Sequence, residues 1–251
     1  MIQVNLLKIS DIERILIDVP FRERPDRHMS RRLWKWTLIE ICKVTTSDGL
    51  VGYGETVVHY TWRRVSDDQV KRVVNHNPLD FLWDDSLGAG LQMALFDLVG
   101  KAMDVPCYRL MGRKVRDKCP ISWWAIDMPP EDWAEEVKLA VKMGYCNAKL
   151  KARPWFDIFE QVQAVSDATP SYFKLDLDFN SLLINSGYAV PVLRDLEEFP
   201  KVSIFETPIP QIDVQGYVMI KRRISLPIAL HYGVPRLTIS VSYTHLTLPT
   251  N

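Results

Sequence analysis

The chain has 251 residues, and its 31 Lys+Arg are balanced by 31 Asp+Glu, for a formal net charge of zero. Hydrophobic residues at 47% and charged residues at 25% describe a soluble globular protein with a sizeable core, in one large domain or two ordinary ones. Zero net charge argues against a nucleic-acid or anionic-membrane partner, and no run approaches the roughly 18–20 apolar residues of a membrane span.

The N-terminus (MIQVNLLKIS) lacks the basic start, apolar core and cleavage site of a secretory leader, so a cytoplasmic location is expected. Two strand-like stretches follow, ISDIERILIDVP and LWKWTLIEICKVTTSDGLVGYGE, rich in β-branched and aromatic residues. Asp48-Gly49 inside the second supplies a hairpin turn. The polar stretch between them, RERPDRHMSRR (22–32), reads as a mobile loop. Residues 66–112 turn helical: Leu91, Ala94, Leu95, Leu98 and Ala102 share helical spacing, and Pro106 follows the helix. This first part, residues 1–114, is an α+β unit.

From about residue 119 the rhythm alternates. Strand candidates PISWWAID, YCNAKLK, YFKLDLD, KVSIFE and LPIALHY are separated by four helical stretches. Strand–helix–strand units at this spacing predict a parallel sheet with helices outside it. With no GxGxxG or phosphate loop, a barrel is favoured over a doubly wound sheet. About 140 residues remain from residue 115 onward, whereas a complete (β/α)8 barrel takes about 250. Only about five strands are therefore expected. Four cysteines, Cys42, Cys107, Cys119 and Cys146, lack CxxC pairing and are expected to be reduced core thiols.

The ends of these strands carry residues that a plain core strand would not use. Lys149 and Lys151 lie two apart and share a face; Asp176, Asp178 and Asn180 do the same; Glu206, then His231 and Tyr232, end the next two strands. In a barrel the strand C-termini gather at one mouth, where catalytic residues sit. Lys151 to Asp178 is 27 residues, Asp178 to Glu206 is 28 and Glu206 to Tyr232 is 26, so each interval is one repeat. Converging carboxylates suit Mg2+, with Mn2+ or another divalent metal as alternatives, and a lysine beside a second cation can act as a base. That chemistry is removal of a proton next to a carboxylate, with the metal stabilising the resulting ene-diolate.

The order of these motifs resembles the enolase superfamily, in its mandelate racemase / muconate lactonising branch. Lys149-Leu150-Lys151, Asp178-Phe179-Asn180 and Glu206-Thr207-Pro208 match the family's strand-end motifs. SDGLVGYGE and ALFDLVGKAMDVPCYRLMG resemble its capping-domain hairpin and pre-barrel helix. The resemblance implies an α+β capping domain (1–114) followed by an α/β barrel of the modified (β/α)7β type, incomplete here, over 115–239. It further implies Lys151 as general base and Lys149 at the substrate carboxylate. Asp178 and Glu206 would be metal ligands, with Asn180 in support, and the whole parent protein would be a homo-oligomer. Asp176, one layer deeper, is expected to hold a lysine.

Two departures stand out. Where the family places a third carboxylate ligand, this chain has His231 and Tyr232. The metal then has fewer protein ligands, or His231 substitutes, or metal binding is lost. The interval count favours Tyr232 facing inward and His231 facing the helices, unless alternation relaxes at the strand end. The segment 240–251 does not match the family's continuation and reads as a non-native tail on a truncated chain, which would leave the second-face acid/base absent. A substrate lid is expected from Arg22, Arg24, Arg27 and His28, with His59, Tyr60 and Trp62 in a second segment. Of the neighbouring Trp123 and Trp124, one indole is expected in the mouth and one outside it. A basic lid suits an acid sugar or another hydroxy acid; dehydration, racemisation and cycloisomerisation all begin with the same proton abstraction. The alternative is a non-catalytic relative that keeps only the scaffold.

Overall fold

The structure, a computed structural model, describes residues 7–29, 36–59 and 63–231. Tyr60, Trp62, Tyr232 and the 240–251 segment lie outside the described residues. The chain divides into two compact units, Met1–Cys119 and Pro120–Asn251.

The first unit is built on an antiparallel sheet of three strands, β1 (Ile9–Asp18), β2 (Leu38–Thr46) and β3 (Val51–Val57), in the order β1-β2-β3. Asp48-Gly49 turns β2 into β3 as the dipeptide predicts, with Gly49 at φ +86° and its N–H donating to the Thr46 carbonyl. The stretch expected as a loop instead forms a short helix, α1 (Glu23–Met29). Its acids, Glu23 and Asp26, sit in the first turn and Arg27 and His28 in the last, which is the charge order that the helix dipole favours. Next comes α2 (Asp67–Val73), opened by a Ser66/Gln69 capping box. Then α3 (Ala89–Ala102) buries Leu91, Ala94, Leu95, Leu98 and Val99 against the sheet. Close approach is possible because β3 presents glycine there: a Cβ on Gly54 would lie 2.0 Å from the Gly90 carbonyl oxygen. The short α4 (Tyr108–Met111) completes this unit.

The second unit holds a five-stranded parallel sheet: β4 (Trp123–Ala125), β5 (Asn147–Lys151), β6 (Lys174–Asp178), β7 (Val202–Glu206) and β8 (Ile228–Ala229). Each strand pairs with the next in sequence. Because crossovers between parallel strands are right-handed as a rule, strictly sequential order puts every connecting helix on the same face, which is the arrangement of a barrel wall and not of a doubly wound sheet. The connections are α5 (Pro130–Lys142), α6 (Ile158–Ala168), α7 (Ser186–Glu197) and α8 (Val214–Lys221). Their starts are set locally: Pro130 opens α5, and Asp157, Asn185 and Asp213 accept backbone N–H bonds at the next three N-termini. Ala148, Leu150, Leu175, Leu177 and Phe205 form the buried apolar face, while alternation sends Lys149, Lys151, Asp176 and Asp178 to the other.

The cysteine expectation needs correction. All four lie outside disulfides, but only Cys42 is buried; Cys107 is half-buried, and Cys119, the last residue of the first unit, and Cys146, immediately ahead of β5, are exposed. Burial pushes the Cys42 thiol up to about 12.

Candidate active site and metal centre

Register places the charged residues before any side-chain detail is considered. Lys149 pairs with Asp176 and Lys151 with Asp178 across β5 and β6, and Asp178 pairs with Glu206 across β6 and β7. Three neighbouring strands thus end at one height with Lys151, Asp178 and Glu206. The Lys151 ammonium donates to Asp178 Oδ2 at 2.5 Å and to Asn180 Oδ1 at 3.0 Å. Lys149 Nζ lies 2.5 Å from Glu206 Oε2 and 3.3 Å from Asp178 Oδ2, so it bridges both carboxylates. Asn180 adds its backbone N–H to Asp178 Oδ1 at 3.0 Å. It does so in the left-handed region, at φ +46°, a conformation that Asn tolerates better than most residues.

The cluster divides its two lysines electrostatically. Burial pulls the Lys151 ammonium below the ordinary lysine value, and the charges of Lys149 and Arg153 push the same way, against the pull of Asp178. Burial also acts on Lys149, but hydrogen bonding to Glu206 and the charge of Asp178 outweigh it and hold that ammonium above the ordinary value. Asp178 is fully buried, which alone would raise its carboxyl; hydrogen bonding to Lys151 and the two lysine charges hold it below the usual carboxylate range.

His231 joins this group, contrary to the interval count. Glu206 pairs with Ala229, so the repeat through α8 is shorter than its predecessors, and His231, two residues beyond Ala229, is in phase with the charged face. Its backbone N–H donates to Thr207 Oγ1 at 2.9 Å, and its Nδ1 lies 2.9 Å from Glu206 Oε1. Asp178, Glu206 and His231 each offer a ligand atom, all within 4.8 Å of one another. Two carboxylates and an imidazole at that separation fit one divalent cation.

The other sequence expectations resolve individually. Among the described residues Asp176 meets no lysine: it accepts from Asn147 Nδ2 at 3.0 Å and Ser203 Oγ at 2.9 Å, because Lys149 reaches upward to Glu206 instead. Trp123 turns to the helices, donating to Glu136 and meeting Tyr145 edge-on at 5.2 Å; Trp124 lies on the face of Lys149. Arg24, Arg27 and His28 lie on α1, with Arg22 just ahead of it and His59 just beyond β3, all in the first unit.

Sequence reasoning missed Thr207. This β-branched residue sits at φ +45°, held by its N–H to the Ala229 carbonyl and by Ser181 N–H on its own carbonyl. Its only signal was its place between Glu206 and Pro208. Asp127 was missed as well: this buried acid, just past β4, accepts from Trp155 Nε1 at 2.6 Å.

Residues 132–233 match the family described as Enolase C-terminal domain-like. Over 215 residues the chain is 23% identical to an N-succinyl-L-Arg/Lys racemase of Bacillus cereus, covering 77% of this chain and 58% of that protein. Over 231 residues it is 25% identical to a D-galactonate dehydratase of Variovorax paradoxus, covering 80% and 59%. The chain therefore spans about three-fifths of the length of these curated relatives. In fold it resembles the crystal structure of 2-chloromuconate cycloisomerase from Rhodococcus opacus. The TM-score is 0.75 at 19% identity, over 96% of this chain and 70% of that one.

Proposed function

The chain belongs to the enolase superfamily, and from that membership we propose that it abstracts the proton alpha to the carboxylate of a small hydroxy acid, with Lys151 as the base. The observation that carries this reading is the Lys149–Lys151–Asp178–Glu206 cluster at the strand ends of a barrel wall.

A base must be neutral to accept a proton, and Lys151 is the lysine whose charge the site disfavours. Once protonated, it is received by Asp178 and Asn180, already within hydrogen-bond reach. Lys149 keeps its charge through Glu206 and Asp178, and serves as the fixed cation for the substrate carboxylate. A divalent cation held by Asp178 and Glu206, of which Mg2+ is the family's usual choice, would supply further positive charge for the enolate that proton loss creates. The D-galactonate dehydratase relative favours an acid sugar, entering dehydration, as the substrate class.

The test is proton exchange. Incubating the chain with Mg2+ or Mn2+ and a panel of aldonic acids in D2O should wash out the alpha-proton signal in NMR for at least one acid, and Lys151→Ala should abolish that exchange. Cation binding without exchange of any member would instead identify a scaffold that has kept the site and lost the reaction.

A further inference from the structure

We propose that His231 is the third protein ligand of this centre, and that its nitrogen shifts the site's preference from Mg2+ toward borderline transition cations such as Co2+, Fe2+ or Zn2+. The inference rests on the cation reading above and adds to it the donor that sets metal choice.

Three independent features place the imidazole there. The β7–β8 register puts residue 231 in phase with Glu206 and Ala229, on the charged face. The backbone of His231 is clamped by the Thr207 hydroxyl, and Thr207 itself is held in the left-handed region by bonds to Ala229 and Ser181. A strained β-branched residue persists only where its surroundings over-determine it, and here the strain delivers one side chain to the carboxylates. Finally, the His231, Glu206 and Asp178 ligand atoms lie close enough to meet on one ion.

The chemistry then follows from the donors. Mg2+ takes oxygen ligands and retains water, and gains little from an imidazole. Imidazole suits Zn2+, Fe2+ and Ni2+, and the affinity of such sites rises from Mn2+ through Fe2+, Co2+ and Ni2+ to Cu2+ before falling at Zn2+. Exchanging one carboxylate for a neutral nitrogen also removes one negative charge, which weakens the hold on the harder ion most.

Calorimetric titration of Mg2+, Mn2+ and Co2+ into the wild-type chain, His231→Glu and His231→Ala tests this, with far-UV circular dichroism to establish that each variant folds. Every nitrogen–oxygen site prefers Co2+ to Mg2+, so the informative quantity is the change in the ratio between proteins. The expected result is a Co2+/Mg2+ affinity ratio at least tenfold larger in wild type than in His231→Glu, with Mg2+ binding tighter in the glutamate variant. Electron spin echo modulation of the Mn2+ complex should show a directly bound nitrogen that disappears in both variants. Tight cation binding with no nitrogen modulation and an unchanged ratio would overturn the His231 assignment and leave the Asp178/Glu206 reading standing. No cation binding to wild type or to either variant would overturn the cation reading itself, and this inference with it.

Discussion

Replacing Asp178 by Asn tests whether the cluster is held together by charge. The native carboxylate is fully buried and receives Lys151 at 2.5 Å, Lys149 at 3.3 Å and the Asn180 N–H at 3.0 Å. Asparagine keeps the shape but removes the only carboxylate that touches Lys151 among the described residues. Breaking a buried ion pair from one side costs about 3–5 kcal/mol, because the remaining charge is left desolvated. Lys149 retains Glu206 and is partly exposed, and Lys151 can shed its proton, so the lower end of that range, about 3 kcal/mol near pH 7, is expected. The pH dependence separates charge from packing. The Asp178 carboxyl is depressed in the folded state. Its stabilisation is therefore complete above the ordinary carboxylate value of 3.8 and is lost as pH falls through its lower folded value. At the alkaline end Lys151, itself depressed, becomes neutral below 10.5 and no longer needs the carboxylate. The difference between wild type and variant should thus be largest near neutrality and narrow in both directions. Urea denaturation across that pH range, followed by fluorescence of the buried Trp123 and Trp133, measures it. A penalty below about 0.5 kcal/mol, or one that does not change with pH, would refute the electrostatic account.

Gly54→Ala should destabilise the first unit by about 3 kcal/mol, since its Cβ would meet backbone atoms of α3 at 2.0 and 2.6 Å; thermal denaturation measures the loss. Asn185→Ala removes the side chain that caps the Tyr188 N–H at the start of α7 and should cost about 1 kcal/mol in chemical denaturation. At pH 8 an alkylating reagent should modify Cys119 and Cys146 in the native chain but reach Cys42, whose thiol lies near 12, only after unfolding; intact-mass spectrometry distinguishes these states. Where alpha-proton exchange is observed, its rate should climb with pH through an apparent pKa below 10.5, as burial frees Lys151 of its proton; a limb at or above that value would disqualify Lys151 as the base.

Much of the barrel wall was legible because its signals are local. Period-two alternation with a charged final residue marks β5, β6 and β7, and the side-chain caps Asp157, Asn185 and Asp213 mark the helix that follows each of them. What sequence could not supply was register. Counting residues between strand ends assumes that every helical connection has the same length, and the one through α8 does not, so the count pointed to Tyr232 where pairing of Glu206 with Ala229 selects His231. The misreading of Asp176 has the same origin. Its face was right, but which lysine reaches which carboxylate depends on side-chain length: Lys149 passes over Asp176 to Glu206 and leaves it to Asn147 and Ser203. Short helices are hard for a related reason, since α1 has no apolar period and is marked only by the order of its charges.

Under the proposed function one strand holds two lysines for opposite tasks, and the same geometry supplies the electrostatic difference between them. Lys149 and Lys151 are the same residue type, two positions apart on one face, and composition cannot rank them as acid or base. The sheet ranks them by the carboxylates it brings to each. Lys149 shares two, Glu206 and Asp178, and is held above its ordinary value. Lys151 has one, lies deeper, and faces the charges of Lys149 and Arg153, so it is pushed below. Environments that drive like groups apart in pKa are the usual physical mark of divided acid–base roles. Lys149 contributes to that division directly, because keeping its own proton makes the neighbouring proton easier to lose. A base assigned to Lys151 is therefore a property of the pair, set by β6 and β7 as much as by β5 itself.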